Sequence, residues 1–220
     1  MDQLNILLLG TQGSGKGTQA RLLSQQFDIP SFSTGEILRN EINKGTELGK
    51  LAASYINRGN LLPDDVISSI VKKELLKEKY SDGVILDGYP RNIVQAETLD
   101  DFMDLDYVIF IDISDEEAVK RVTGRRICPK CGENYHIDYN PPENDEICDR
   151  CKAILEIRED STPEAVETRL KVYHSLTEPL VAYYDKRGLL IKVNGEQRIL
   201  EVFNEIILKI QEHGVHHEEN

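Results

Sequence analysis

The sequence predicts an α/β fold: a parallel sheet covered by helices on both faces, with one segment standing apart from it. Three observations carry this. A continuous apolar run from Leu4 to Leu9 ends in Gly10 and reads as a buried parallel strand. A glycine-rich turn follows it, and then apolar residues at helical spacing from Gln19 to Phe27. Similar short apolar runs recur down the chain with helical patterns between them, an alternation that suits a parallel sheet.

The remaining strands can be placed in order. Ile29 to Phe32 is a short candidate, and Asp82-Gly83-Val84-Ile85-Leu86-Asp87 reads as a second central strand. Tyr107 to Ile113 is a third, and Leu189 to Val193, announced by the turn pair Arg187-Gly188, a fourth. Among the helices, Asp64 is expected to cap a stretch whose Val66, Ile67, Ile70, Val71 and Leu75 share a face. Thr162-Pro163-Glu164 opens a long helix toward Tyr184, with a kink or break expected near Pro179. Ser33 to Leu62 holds helical patterns and no strand. Arg125 to Asp160, rich in Cys, Pro, Asn and acidic residues, reads as a separate module. The polar tail from His213 to Asn220 is expected to fray, and its His216-His217 pair to be tail composition rather than a metal site.

Composition narrows the function classes. The 220 residues are 40% hydrophobic and 30% charged, ordinary for a globular protein, and no apolar run approaches a membrane span. The first residues lack a signal peptide's basic and small-residue pattern, so the cytoplasm is the expected compartment. A net charge of −13 repels nucleic acid over most of the surface. Phosphate, if bound, must meet locally concentrated cations and backbone amides.

Gly10-Thr-Gln-Gly13-Ser14-Gly15-Lys16-Gly17-Thr18 lies between strand and helix, the context a phosphate-binding P-loop requires. Glycines let successive amides turn inward, the helix N-terminus adds its positive end, and Lys16 supplies the charge for the β and γ oxygens. The hydroxyl residue that normally follows the lysine is replaced by Gly17, with Thr18 one place later. Magnesium is therefore expected to be held mainly by substrate oxygens and water. Asp87, at the end of an apolar strand, is placed to orient them.

All four cysteines fall in the separate module, as Cys128-x-x-Cys131 and Cys148-x-x-Cys151. Each pair suits one knuckle of a tetrahedral thiolate site, and zinc is the expected ion, although iron or another thiophilic metal fits the spacing too. Two disulfides or plain reduced cysteines are the alternatives; a cytoplasmic setting disfavours the disulfides. Four thiolates complete the shell, which makes the ion structural and leaves no place for His136. A nucleic-acid-binding zinc ribbon is a rival reading, but Arg125 to Asp160 carries six Lys and Arg against nine Asp and Glu.

Beyond these motifs, Asp87-Gly88-Tyr89-Pro90-Arg91 with Gln95-Ala96, the run from Gly15 to Ala20 and Ser33-Thr34-Gly35-Glu36-Ile37-Leu38-Arg39 closely resemble adenylate kinase. Leu61-Leu62-Pro63-Asp64, Thr123-Gly124-Arg125-Arg126, Arg158-Glu159-Asp160, Arg169-Leu170 and Val193-Asn194-Gly195 match the same family in order and spacing. The resemblance implies the P-loop nucleoside monophosphate kinase fold: a parallel five-stranded sheet flanked by helices, with a helical AMP-binding insertion and a zinc-containing lid. It places the core at 1–32, 63–124 and 163–220, the AMP insertion at 33–62 and the lid at 125–162, hinged near Arg125 and Asp160. The implied reaction is reversible, MgATP plus AMP giving two ADP, performed by a monomer without nucleic acid or membrane.

The resemblance also implies residue roles. Gly13, Ser14, Gly15, Lys16, Gly17 and Thr18 would wrap the donor phosphates, with Arg121 and Arg125 on the donor side. Asn134 and Tyr135 would meet the donor nucleotide from the lid, and the backbone near Gln197 would face its base. Thr34, Arg39, the backbone of Asn60, Leu61 and Leu62, and Gly88, Tyr89, Pro90, Arg91 and Gln95 would hold AMP, with Gln95 reading the adenine edge. Arg158 and Arg169 would bridge the two nucleotides. Lys16, Asp87, Arg91, Arg125, Arg158 and Arg169 form the catalytic set. No general base is expected, because the AMP phosphate oxygen is already a nucleophile and transfer needs alignment and charge neutralisation.

Several positions depart from the family pattern. Gln12 stands for a common proline, Glu36 for aspartate and Tyr89 for phenylalanine. Ser161 replaces the second residue of an Asp-Asp pair, and Lys152-Ala153 replaces Gly-Gly after the last cysteine. Another nucleoside monophosphate kinase, or one taking GTP as donor, is the nearest rival; the long lid argues against the short-lid UMP/CMP type.

Overall fold

A computed structural model describes residues 3–158 and 161–217, with side chains as far as His213. Glu159 and Asp160, and the side chains of His216 and His217, therefore lie outside the described part. Five strands form one parallel sheet in the order β2-β3-β1-β4-β7: β1 (Leu4–Leu9), β2 (Ser31–Ser33), β3 (Gly83–Asp87), β4 (Tyr107–Asp112) and β7 (Leu190–Asn194). The expected strand at Ile29 to Phe32 shifts to Ser31–Ser33. Pro30 has no N–H for the ladder, and only its carbonyl joins, accepting from Ile85.

The continuous apolar runs follow from burial on both faces, and alternate residues sort cleanly. Leu7, Leu9, Val84, Leu86, Val108 and Phe110 face α4 (Asp64–Leu75), α5 (Ile93–Asp100) and α8 (Pro179–Asp185). Ile6, Leu8, Ile85, Ile109 and Ile111 face α1 (Lys16–Phe27) and α9 (Ile199–His217). The sequence reading leaves α9 unplaced, although Val202, Ile206 and Ile210 repeat every four residues and all three are buried. The helix continues to His217, beyond the point where the tail was expected to fray.

Two further expectations are corrected. Asp64 is the first residue of α4 and caps nothing; Pro63 holds the cap position. Its carboxylate instead accepts from Asn92 Nδ2 at 2.8 Å and Gln95 Nε2 at 2.7 Å. The long helix after Thr162 is divided. α7 (Pro163–Val172) is capped by Thr162, whose hydroxyl accepts from the Ala165 N–H, and passes into a π-turn over Tyr173–Thr177. There the Glu178 N–H reaches back to the Tyr173 carbonyl, so the break expected near Pro179 is taken up just ahead of it.

Between β2 and α4 lie α2 (Thr34–Asn43) and α3 (Glu47–Ile56). α6 (Asp115–Thr123) follows β4, capped by Ser114 and carrying three acidic residues in its first turn. From its end the chain enters an antiparallel pair, β5 (Arg125–Ile127) and β6 (Asn134–His136). This segment has its own small core of Cys128, Tyr135, Cys148 and Leu155.

Ile109 is fully buried at the centre of the sheet, whereas Leu208 projects from α9 into solvent. Urea unfolding is expected to show Ile109→Ala losing about 2–5 kcal/mol and Leu208→Ala less than about 0.5 kcal/mol.

Candidate active site

The parallel sheet sends the ends of β1, β3 and β4 to one edge, where Gly10, Asp87 and Asp112 emerge. Gly10 turns with φ +142°, and a methyl group placed on it would lie 2.5 Å from the Ile111 carbonyl oxygen. Gly13, at φ +80°, lies close against α6, where a methyl group would be 3.0 Å from the Ala118 carbonyl oxygen. The loop is thus held against β4 and α6 by contacts only glycine permits. α1 begins at Lys16 with Gly15 as its cap residue and no side-chain cap, so its first amides are not capped by a side chain.

Lys16 folds back over this loop. Its Nζ donates to the carbonyls of Gly10 and Thr11, both at 2.7 Å, and approaches Ser14 Oγ at 3.4 Å. Burial pushes its pKa down to about 8; Asp87 opposes the shift, while Arg91 and Arg125 add to it. The ammonium therefore lies within the field of three groups, Asp87 and Arg91 from one stretch of the chain and Arg125 from another. Asp87 stands beside the loop: a methyl on Gly17 would be 3.6 Å from its Oδ2. The small residue after the lysine leaves this carboxylate room at the phosphate loop.

On the other side of β3, Gly88 (φ +84°) gathers two expected residues. Its carbonyl accepts from Thr34 Oγ1 at 2.8 Å and from Arg91 Nε at 2.8 Å. Arg39 lies over Gly35. Tyr89 is fully buried, its hydroxyl placed to donate to the Gln95 backbone carbonyl at 3.1 Å and to accept from the Ser68 hydroxyl at 2.9 Å. Gln95, only 2% exposed, accepts the Arg91 N–H at 2.8 Å and donates to Asp64. One N–H and one lone pair of its amide remain beyond these two bonds. Asn60 closes the turn after α3, its N–H bonded to the Tyr55 carbonyl, with Leu61 half-buried and Leu62 buried beside it.

α7 ties these parts together. Gln12 Nε2 donates to its Val166 carbonyl at 2.8 Å, and the turn at Gly59 packs against its Ala165 and Thr168. Its other face packs on α6 through Val166, Leu170, Ala118 and Val122. Arg169 rides on this helix, half-buried, and Arg158 lies half-buried just upstream. Arg125 NH2 approaches Ser161 Oγ at 3.4 Å, so the residue standing for an aspartate makes a neutral contact with an arginine. Arg121 is held by Glu117 at 2.6 Å and by the Gly195 carbonyl at 2.8 Å. Gln197 hydrogen-bonds Glu205 and the Asn194 carbonyl.

Asn134 is exposed, but Tyr135 turns inward: its hydroxyl lies 3.5 Å from Cys148 Sγ and accepts the Asp149 N–H. Its hydroxyl thus supports the cysteine cluster. Sequence reasoning passed over Tyr139. That ring packs on His136, takes the Lys120 ammonium at 5.0 Å and the Arg121 guanidinium at 5.3 Å, and donates to Glu117. An aromatic four residues after the expected Asn134-Tyr135 contact was the available signal. Gln12 and Asp64 as positioning groups had none, since their partners are distant in sequence.

The four cysteine sulfurs all lie within 4.8 Å of one another, with Cys128–Cys151 at 3.2 Å and Cys131–Cys148 at 3.5 Å. A disulfide would need about 2 Å, whereas sulfurs about 2.3 Å from one tetrahedral ion sit roughly 3.8 Å apart. The set fits a single four-thiolate ion. Burial raises the Cys148 thiol, but hydrogen bonds from Tyr135 and the Cys151 and Arg150 amides outweigh it and hold it near 6. His136 stands outside the cluster, its Nδ1 accepting from the Asp138 and Tyr139 amides. Lys152 adopts φ +60° at the point in the second knuckle where the first has Gly132 at φ +74°. Replacing the family's glycine therefore strains this turn.

A sequence model of the adenylate kinase family matches residues 8–189. A protein named adenylate kinase from Thermoanaerobacter sp. (strain X514) is 44% identical over 216 residues, 96% of this chain and all of that one. Another from Caldanaerobacter subterraneus subsp. tengcongensis is 47% identical over 208 residues, 92% of this chain and 94% of its own. One from Oceanobacillus iheyensis is 44% identical over 208 residues, covering 92% and 97%.

A polyphosphate docking at Lys16 should restore its ordinary ammonium. At pH 8, binding is expected to draw on the order of half a proton from buffer. Calorimetry should give a more positive enthalpy in Tris than in phosphate, a difference that fades at pH 6.5. Equal enthalpies in both buffers at pH 8 would contradict the placement of the lysine.

Proposed function

The chain belongs to the adenylate kinase family, and on that premise we propose that it moves a phosphoryl group from MgATP to AMP, reversibly, giving two ADP. The observation that carries this reading is the convergence on Lys16. In a chain of net charge −13, one buried ammonium lies in the field of Arg91 and Arg125, beside a helix N-terminus without a side-chain cap. Such a focus of positive charge suits phosphate groups and little else.

We assign the donor phosphates to the loop from Gly13 to Thr18, with Arg121, Arg125 and the backbone of Asn134 to Tyr135 on the donor side. Tyr139, stacked on Arg121, offers a flat surface for the donor base, and the backbone near Gln197 faces it. AMP is assigned to Thr34, Arg39, Asn60 to Leu62 and Gly88 to Arg91. Gln95 reads the adenine edge with its remaining donor and acceptor. Asp64 supports this by fixing the amide's orientation. Arg158 and Arg169 bridge the nucleotides, and the planar guanidinium suits the charge spread over the transferring oxygens.

Chemistry then needs little covalent work: the cleft aligns the AMP oxygen with the γ-phosphorus, excludes water and neutralises charge. Magnesium arriving with ATP supplies part of that neutralisation, and Asp87 is the acidic residue beside the loop to orient its water ligands. We assign 1–32, 63–124 and 163–220 to the core, 33–62 to the AMP insertion and 125–162 to a lid moving about its two ends. Zinc in the four-thiolate site is proposed to be structural. A module of about 36 residues buries too little to fold by itself, and such an ion contributes on the order of 10 kcal/mol.

A coupled assay for ADP is expected to show turnover with MgATP and AMP, none with CMP, UMP or GMP, and a loss of at least about 100-fold in Lys16→Ala. Turnover with another acceptor would overturn the reading of Gln95. Absence of turnover with every acceptor, from folded and metal-replete protein, would overturn the proposed activity.

A further inference from the structure

A side-chain amide can be turned over at almost no cost in shape, exchanging its donor for its acceptor. At Gln95 the neighbours forbid the exchange. The Arg91 N–H, which can only donate, lies 2.8 Å from Gln95 Oε1. The Asp64 carboxylate, which can only accept, lies 2.7 Å from Gln95 Nε2. Turned over, the amide would set N–H against N–H at Arg91 and oxygen against oxygen at Asp64. Gln95 is only 2% exposed, so little water is at hand to relieve either conflict.

Asp64 reaches Gln95 by a second route. Its Oδ1 also accepts from Asn92 Nδ2 at 2.8 Å, and Asn92 Oδ1 takes the Gln95 backbone N–H at 2.9 Å. The three residues close a ring in which every donor meets an acceptor, so the Asn92 amide is fixed as well. Ser68, one turn along α4 from Asp64, meets the Tyr89 hydroxyl, which reaches the Gln95 carbonyl. α4 therefore holds Gln95 by its amide through Asp64 and by its backbone through Ser68 and Tyr89.

The lock bears on which purine the amide can read. Adenine carries an amino group, a donor, beside a ring nitrogen that accepts, whichever edge it presents. A 6-oxo purine carries an acceptor in place of that amino group. The lone pair and N–H left over on the locked amide match the amino purine and set oxygen against oxygen with the oxo purine. On the assignment of Gln95 to AMP made above, we propose that Asp64 is a positioning residue that sets the preference for 6-amino over 6-oxo purine acceptors. It acts through Gln95, not by contact with the base. Asparagine at this position offers a donor as readily as an acceptor, and so no longer dictates how Gln95 lies.

Initial rates of the full-length protein with MgATP and either AMP or inosine monophosphate, its 6-oxo counterpart, test this. The parent is expected to favour AMP by at least about 100-fold in kcat/KM. In Asp64→Asn, nearly the same in shape, that ratio should fall at least about 10-fold, with KM for MgATP little changed. Asp64→Ser, which also withdraws the fixed acceptor, should move the ratio the same way. Both acceptors losing kcat/KM in proportion, with the ratio as in the parent, would mean a merely structural role and overturn the inference while AMP phosphorylation stands. A parent that uses the two acceptors equally well would overturn it without any variant. A parent that uses neither would bring down the proposed activity, and this inference with it.

Discussion

The buried ammonium of Lys16 sets the terms for the rest of the cleft. A charge removed from water must be solvated by something, and here the carbonyls of Gly10 and Thr11 do it at 2.7 Å while Asp87 offsets part of the remaining cost. Those carbonyls can turn inward only because Gly10 and Gly13 accept backbone conformations and contacts closed to larger residues. The loop in turn depends on the sheet: β1 lies between β3 and β4, so Asp87 and the loop leave the same edge side by side. On the proposed function, a phosphate would take the place of these carbonyls as a stronger partner.

The arginines bring their own constraint. The six guanidinium groups expected around the two nucleotides would repel one another, and they are distributed over separate elements, three of them with visible anchors. Arg91 is anchored by the Gly88 carbonyl, Arg121 by Glu117 and Gly195, and Arg125 by Ser161. α7 links the phosphate loop through Gln12, the turn after α3 through Gly59, and α6 through Val166 and Leu170. A movement of that helix would be felt by all three at once. The cysteine module meets a different limit, since its small core cannot hold Tyr135, Cys128 and Cys148 together by apolar burial alone.

Much of this was legible from residues near one another in sequence. The P-loop, the four main strands and the two cysteine pairs each announce themselves within a few residues, because local geometry dictates the residue types. What escaped depends on long-range contact. Asp64 reads locally as a helix cap, but the carboxylate is claimed by Asn92 and Gln95 far down the chain. That the Tyr135 hydroxyl lies against a cysteine sulfur is likewise visible only in the fold. The helix through Val202, Ile206 and Ile210 was visible in its period and simply passed over. Lys152-Ala153 in place of Gly-Gly is legible as a departure, but only the backbone reveals the positive φ at Lys152.

The central claim is that donor and acceptor phosphates meet in one cavity around Lys16. Titration with two adenosines joined through five phosphates measures this most directly, because such a molecule fills both sites only if they face each other at that spacing. The account predicts one equivalent per chain, with affinity lowered on the order of 100-fold in Lys16→Ala. Two equivalents per chain, or affinity indifferent to Lys16, would contradict it.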